Sequence, residues 1–450
     1  MKAAHILVGL LTLAPALPAA AQPTNIQLAD ARALPQPDVA PKAEHILPDW
    51  DGWRSSLEDK GLYLLLDATT EFAGNVSGGR RQGSTFANQV GLEFDIDWQR
   101  LAGITGFSTH LIVINRSGGS TSQIFGDNFM PVQEIYGAGG NVAAHLVSVY
   151  GQWLGFDRRL DIAAGRMNVE NDFASSPLYC NFMNNGVCGD PKALPGGDIG
   201  HSAYPDAVWA GRVRVRPRPD FYLETGVYEV NQALYGNQFR TGFEWGTEHD
   251  SGVYVPVEIG YTPFLGSDHL PGHYKIGFGY DSSNTYTDFA SALNPGAPAS
   301  THRGNTQIWV LVDQMLLRQG KGDTDGLIVL GGFIHNDPDR SVYAEQYIVG
   351  LLDRGFWAAR PKDTVGVMFS YNTVSGPLST VQGLEATFGL PFSNNASGQQ
   401  TREMVTEASY TIHVTDGLTF MPDFQYVIHP NAQTNIHDAA VFGFKAHLTF

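Results

Sequence analysis

From Trp50 onward, apolar and polar residues alternate with a period of two. Val90, Leu92, Phe94 and Ile96 are interleaved with Gln89, Gly91, Glu93, Asp95 and Asp97. Val213 and Val215 sit between Arg212, Arg214 and Arg216, and Leu223, Thr225 and Val227 between Tyr222, Glu224 and Tyr228. Ile308, Val310 and Val312 follow the same rule against Gln307, Trp309 and Asp313. Successive side chains of a strand point to opposite faces, so each segment predicts a strand with one greasy and one polar face. Such segments fall at 61–73, 87–98, 105–115, 142–153, 158–168, 206–216, 220–230, 252–262, 272–282, 304–315, 325–335, 343–352, 364–373, 403–413, 417–427 and 438–450. No helical stretch of comparable strength competes with these sixteen segments.

The connections alternate in length. Short ones lie at 99–104, 154–157, 217–219 and 415–416, and long ones at 116–141, 169–205, 231–251, 283–303 and 374–402. An outer-membrane barrel has short periplasmic turns on one rim and longer external loops on the other. With the first strand starting at the periplasmic rim, every short connection falls on that side. Residues 380–389 have strand-like composition but are assigned to a loop, because a seventeenth strand would break the parity. The expected fold is all-β: one outer-membrane antiparallel β-barrel of about 16 strands spanning residues 48–450. The last segment sets Phe442, Phe444, Leu448 and Phe450 on its greasy face. Phe450 is read as the assembly signal that barrel-assembly machinery engages.

The N-terminus fits export. Met1-Lys2, an apolar run from Ile6 to Leu17 and Ala19-Ala20-Ala21 predict a secretory signal over 1–21. Residues 22–47, with Pro23, Pro35, Pro37 and Pro41, are read as a flexible Pro/Ala-rich leader. No later apolar run is long enough for a transmembrane helix. With 28 Lys+Arg against 45 Asp+Glu, the formal charge is −17, which argues against a nucleic-acid partner. An aromatic content of 11 % argues against disorder. The expected location is the outer membrane of a Gram-negative bacterium, with outer-membrane lipid around the greasy face.

Several segments carry a resemblance. They are Asp49-Trp50-Asp51-Gly52-Trp53-Arg54 with Leu57-Glu58-Asp59-Lys60-Gly61, then Ala164-Gly165-Arg166-Met167-Asn168 with Asp172-Phe173-Ala174. Gly226-Val227-Tyr228-Glu229-Val230-Asn231, Glu407-Ala408-Ser409-Tyr410, Pro422-Asp423-Phe424-Gln425-Tyr426-Val427 and His429-Pro430 complete the set. In order and spacing they resemble the carbohydrate-selective porins of the OprB type over 48–450. The resemblance implies facilitated diffusion of neutral sugars (mono- and small oligosaccharides, polyols) through a water-filled sixteen-stranded barrel. It would be a monomer or homotrimer, with sugar or polyol solutes as partners. The rival readings are an exported β-rich polysaccharide-degrading enzyme and a porin of the same architecture for another small solute.

The candidate chemistry is that of a pore wall. Arg212 and Arg214, near Glu224, face the polar side by alternation, and guanidinium groups donate to several hydroxyls at once. Tyr222, Tyr228 and Trp309 share that side and offer aromatic faces for sugar rings. Glu93 and Asp95 line the same lumen as acceptors. These residues are equally the parts of a salt-bridge lattice and a packed wall. Loops 116–141 and 169–205 are expected to fold inward as the constriction. Cys180 and Cys188, an even pair at short spacing in an exported chain, favour a disulfide. No His-Glu-x-x-His or Gly-x-Ser-x-Gly occurs, and strand acids are expected of any water-filled lumen. No catalytic residue, metal or cofactor is therefore assigned.

Overall fold

The structure, a computed structural model, describes residues 44–135, 140–234, 241–283, 286–293, 298 and 300–450. The expected signal segment and all but the last residues of the leader lie outside the described residues. Sixteen long strands follow one another: β1 Leu62–Ser77, β2 Gly83–Asp97, β3 Phe107–Gly118, β4 Val142–Gly155, β5 Leu160–Met167, β6 Val208–Arg218, β7 Phe221–Asn231 and β8 Asp250–Tyr261. The second half is β9 Leu270–Asp281, β10 Asn305–Arg318, β11 Gly326–Asn336, β12 Tyr343–Arg354, β13 Thr364–Val374, β14 Arg402–Thr415, β15 Leu418–Ile428 and β16 Ala439–Thr449. Each pairs antiparallel with its sequence neighbours, and β16 returns to β1 through Asp67↔Thr449 and Glu71↔Lys445. The sheet closes on itself, so its first and last strands are paired in a medium without water to satisfy a free edge.

The two rims differ as expected. One carries the turns at 98–106, 156–159, 219–220, 262–269, 319–325, 355–363 and 416–417. The other carries the long connections together with two tight ones, 78–82 and 337–342. Gly78 and Gly79 close the first of these at φ 72° and 67°, which a side chain rarely adopts. Residues 380–388 fall in a helix, α1 Gly376–Phe388, and Gly389 is its C-terminal cap. The Ser375 hydroxyl accepts the Leu378 N–H at 3.1 Å, Pro377 sits in the first turn, and Gly389 ends the helix at φ 66°.

Alternation decides the faces. Val213, Val215, Leu223, Val227, Leu92 and Ile308 are exposed on the outer surface. Phe72, Phe86 and Phe444 cluster there across β1, β2 and β16, with centroids 4.9 to 6.3 Å apart. Arg212, Glu224, Trp309 and Asp95, their alternating neighbours, are buried inside. One part of the wall is built differently. β5 stops at Met167, leaving the far half of β4 without its second partner. Segment 241–249 covers that place, with Leu146 N–H donating to Thr241 O at 2.8 Å and Trp209 Nε1 to Trp245 O at 3.3 Å.

Candidate functional site

Two of the expected loops fold into the barrel. Segment 168–207, between β5 and β6, crosses the lumen and is tied to the walls on its far side. Ala174 N–H donates to Glu258 Oε2 of β8 at 2.8 Å, and Lys275 Nζ of β9 donates to Ser175 O at 2.6 Å. Tyr179 Oη donates to Gly331 O of β11 at 3.0 Å. Asn336 of β11 donates to Ala193 O at 2.7 Å, and Gln346 of β12 to Gly186 O at 2.7 Å. Asn184 donates to Gln425 of β15 at 2.9 Å. Segment 119–135 joins it: Ile135 N–H donates to Glu71 Oε2 at 3.1 Å, and Asn185 N–H to Pro131 O at 2.8 Å. The Cys180–Cys188 disulfide closes a small ring within the crossing segment.

Where these segments meet β3, they leave an opening lined by Arg116, Glu134, Glu170, Asn185, Asp190, Lys192 and Tyr204, with Cys188, Pro195 and Ala203. Arg116, on β3, donates from Nε to Gln89 at 2.8 Å and lies 5.3 Å from the Tyr204 ring centre. Glu134 holds Lys445 of β16 at 2.5 Å. Glu170 accepts the N–H groups of Tyr204 (2.7 Å) and Asp190 (3.2 Å). Burial, with Asp190 beside it, pushes the Glu170 carboxyl up to about 8. Burial pushes Lys192 down to about 8 against the attraction of Glu170. Burial raises Glu134 but Lys445 and Arg116 outweigh it, so its carboxyl lies below its ordinary value. Asn185 Oδ1 and Asp190 Oδ1 are buried without a hydrogen-bond partner among the described residues. Cationic donors, ionised and neutral acids, unmet acceptors and one phenol ring thus converge on one opening.

Apart from Cys188, none of the opening's residues was singled out by sequence, although all of them lie in the two loops, 116–141 and 169–205, expected to form the constriction. The arginine column does face inward. Arg212 meets Asp161 (2.7 Å) and Asp172 (3.0 Å), and Arg214 meets Glu224 at 2.5 Å. Tyr228 and Trp309 are completely buried, which corrects the expectation that they offer ring faces to a solute. Trp309 Nε1 donates to Glu258 at 2.7 Å, as does Tyr222 Oη. The cause is visible in the neighbouring strand. A Cβ on Gly277 would stand 2.1 Å from the Trp309 indole, and one on Gly260 2.0 Å from the Tyr222 ring. These rings lie flat on glycine gaps of the wall. Glu93 is half-buried and Asp95 buried, the latter holding His110 Nδ1 at 2.8 Å. Ser108 lies 3.0 Å from His110 Nε2, which puts serine, histidine and aspartate in the order of a hydrolase triad. All three are at most 3 % exposed, so no substrate reaches the hydroxyl. At the turn rim Glu44, His413 and Asp416 come together, but Lys362 already pairs with Glu44 (2.6 Å) and Asp416 (3.2 Å).

A closed sixteen-stranded barrel, greasy outside and narrowed within by its own loops, is an outer-membrane porin: a channel, not an enzyme. Residues 81–450 match the family described as "Carbohydrate-selective porin, OprB family", and the chain belongs to that family. It is 29 % identical over 427 residues to Porin B of Pseudomonas aeruginosa, covering 91 % of this chain and 92 % of that protein. It is 27 % identical over 422 residues to the putative porin QuiX of Acinetobacter baylyi, covering 90 % and 93 %. The high-pH structure of Pseudomonas putida OprB is similar at TM-score 0.83 and 28 % identity, covering 91 % of this chain and 99 % of that one. The chain is thus a carbohydrate porin of the Gram-negative outer membrane, as the resemblance implied.

Proposed function

We propose that neutral mono- and small oligosaccharides or polyols are recognised at the opening between the inner segments and β3, and diffuse through it without energy input. The observation that carries this is the pairing of charged donors with unmet acceptors there. A sugar hydroxyl both donates and accepts, so Arg116 and Lys192 suit its oxygen while Asn185 Oδ1 and Asp190 Oδ1 suit its hydrogen. Tyr204 supplies an apolar face beside them. Arg212, Arg214, Glu224 and Trp309 then act as framework rather than as sugar contacts. Liposome swelling with a panel of sugars, run on wild type and Lys192→Ala, tests the reading. Lower sugar rates with unchanged potassium chloride conductance are expected in the variant. Equal rates would place recognition elsewhere. The signal over 1–21, engagement of Phe450 by assembly machinery, and a monomeric or homotrimeric state belong to the same proposal.

A further inference from the structure

The arginine column is not evenly compensated. Arg212 and Arg214 share Asp161, Asp172 and Glu224. Arg216 has no carboxylate within 4.0 Å among the described residues, and its side chain donates to no protein acceptor there. Its guanidinium lies 5.2 Å from the centre of the Tyr222 ring, while that of Arg214 lies 5.4 Å from the same ring. Its backbone N–H is spent on Arg159 O at 2.8 Å. Alternation puts the side chain on the lumen side, one step nearer the turn at 219–220 than Arg214. It is half-buried.

A guanidinium has five N–H donors in a fixed fork and loses free energy when they go unmet. Arg216 is also held beside a like charge, Arg214, whose own acids are already engaged. The wall therefore supplies the fork with no acceptor; whatever fills the lumen does. Adjacent hydroxyl oxygens of a sugar present two acceptors side by side, which a fork reaches and a single ammonium does not.

We propose that Arg216 is a solute-contacting specificity residue on the periplasmic side of the constriction, holding adjacent hydroxyl oxygens of a neutral sugar that has passed the opening. Arg212 and Arg214 are the frame beside it. This rests on the recognition of neutral sugars proposed above.

The test is glucose block of single-channel current in planar bilayers, for wild type, R216Q and R216K. Each is first shown to run as a heat-modifiable barrel with wild-type conductance in potassium chloride. R216Q is expected to weaken block about three- to fivefold, the size of one charged-donor hydrogen bond contested by water. R216K, which keeps the charge but loses the fork, is expected to weaken it too. Block by R216K equal to wild type overturns the contact, and stands as the test should R216Q fail to insert. Block by R216Q equal to wild type also overturns it. If glucose does not block the wild-type channel, the sugar-recognition reading falls first and this inference with it. Loss of block in Lys192→Ala but not in R216Q overturns only the second contact.

Discussion

The two sides of the lumen are built on opposite principles. Along β10 to β15 the inward face carries a buried apolar set, Leu311, Met315, Ile328, Leu330, Ile334, Ile348, Leu352, Met368, Val405 and Met421, each at most 3 % exposed, interspersed with buried polar groups such as Gln307, Gln346, Asn372, Glu407 and Gln425. They share one core with Tyr179, Phe182 and Met183 of the crossing segment. Along β16 and β1 to β3 the inward face is polar, with Asp67, Glu93, His110, Lys445 and His447. Asp67, Glu93 and His447 remain half-buried there. One side shares an apolar core with the crossing segment, and the other is a polar wall on which Asp67, Glu93 and His447 are only half-buried. The comparison teaches why the channel is narrow. The inner segments are pulled to the apolar side by burial of their own hydrophobic residues, so the opening is left against β3.

The largest expected effect comes from making the filled side resemble the open one. Leu330→Asp buries an unpaired carboxylate beneath the crossing segment, at a cost of several kcal/mol. Loss of the heat-modifiable band is expected, whereas Glu93→Leu on the open wall should keep it. Arg214→Ala ranks next, because Glu224 is left buried beside Asp172 without its partner. About 3–5 kcal/mol is expected from the removal of one member of a buried pair. Denaturant unfolding of the detergent-solubilised barrel measures it, and an unchanged midpoint would make the pair dispensable.

Removing the Cys180–Cys188 bridge should cost roughly 2–3 kcal/mol by the loop-entropy argument. The loss should be confined to the crossing segment. Peptides from 168–207 should exchange amide hydrogens faster in Cys180→Ser/Cys188→Ser, while those from β1 to β3 stay protected. A further effect is that of pH. Glu170, raised from 4.5 to about 8, binds a proton in the folded state that the unfolded chain releases. Its contribution to stability is complete below pH 4.5 and fades as pH rises through about 8. Lys192, lowered from 10.5 to about 8, acts in the opposite sense only above that pH. Exchange at 169–206 should therefore quicken between pH 5.5 and 8, and Glu170→Gln should flatten the change. Equal slopes in both proteins would remove Glu170 from the account.

Strand existence, number and facing were legible because they depend on local alternation, which any sixteen-stranded barrel must show to lipid. Val213 and Val215 turn outward for that reason alone, and the disulfide was legible from two nearby cysteines. On β11 the alternation weakens, since Leu327, Ile328, Val329 and Leu330 are all apolar. That run was a trace of an inner face covered by protein. What occupies it could not be read, because the covering segment lies more than a hundred residues away.

The opening against β3 was decided by the tertiary structure. Glu134 and Lys445 stand 311 positions apart, and Arg116 meets Tyr204 only because the crossing segment returns to β3. Alternation could say that Arg214, Arg216, Trp309 and Tyr222 face the lumen, but not which of them are enclosed. That depends on glycines in adjacent strands and on carboxylates from other elements. The sequence by itself determined the barrel and the side of the wall each residue takes, through a period of two. Which inward residues are enclosed and which line the opening was settled by how two loops fill the lumen, a question of long-range packing that no local period records.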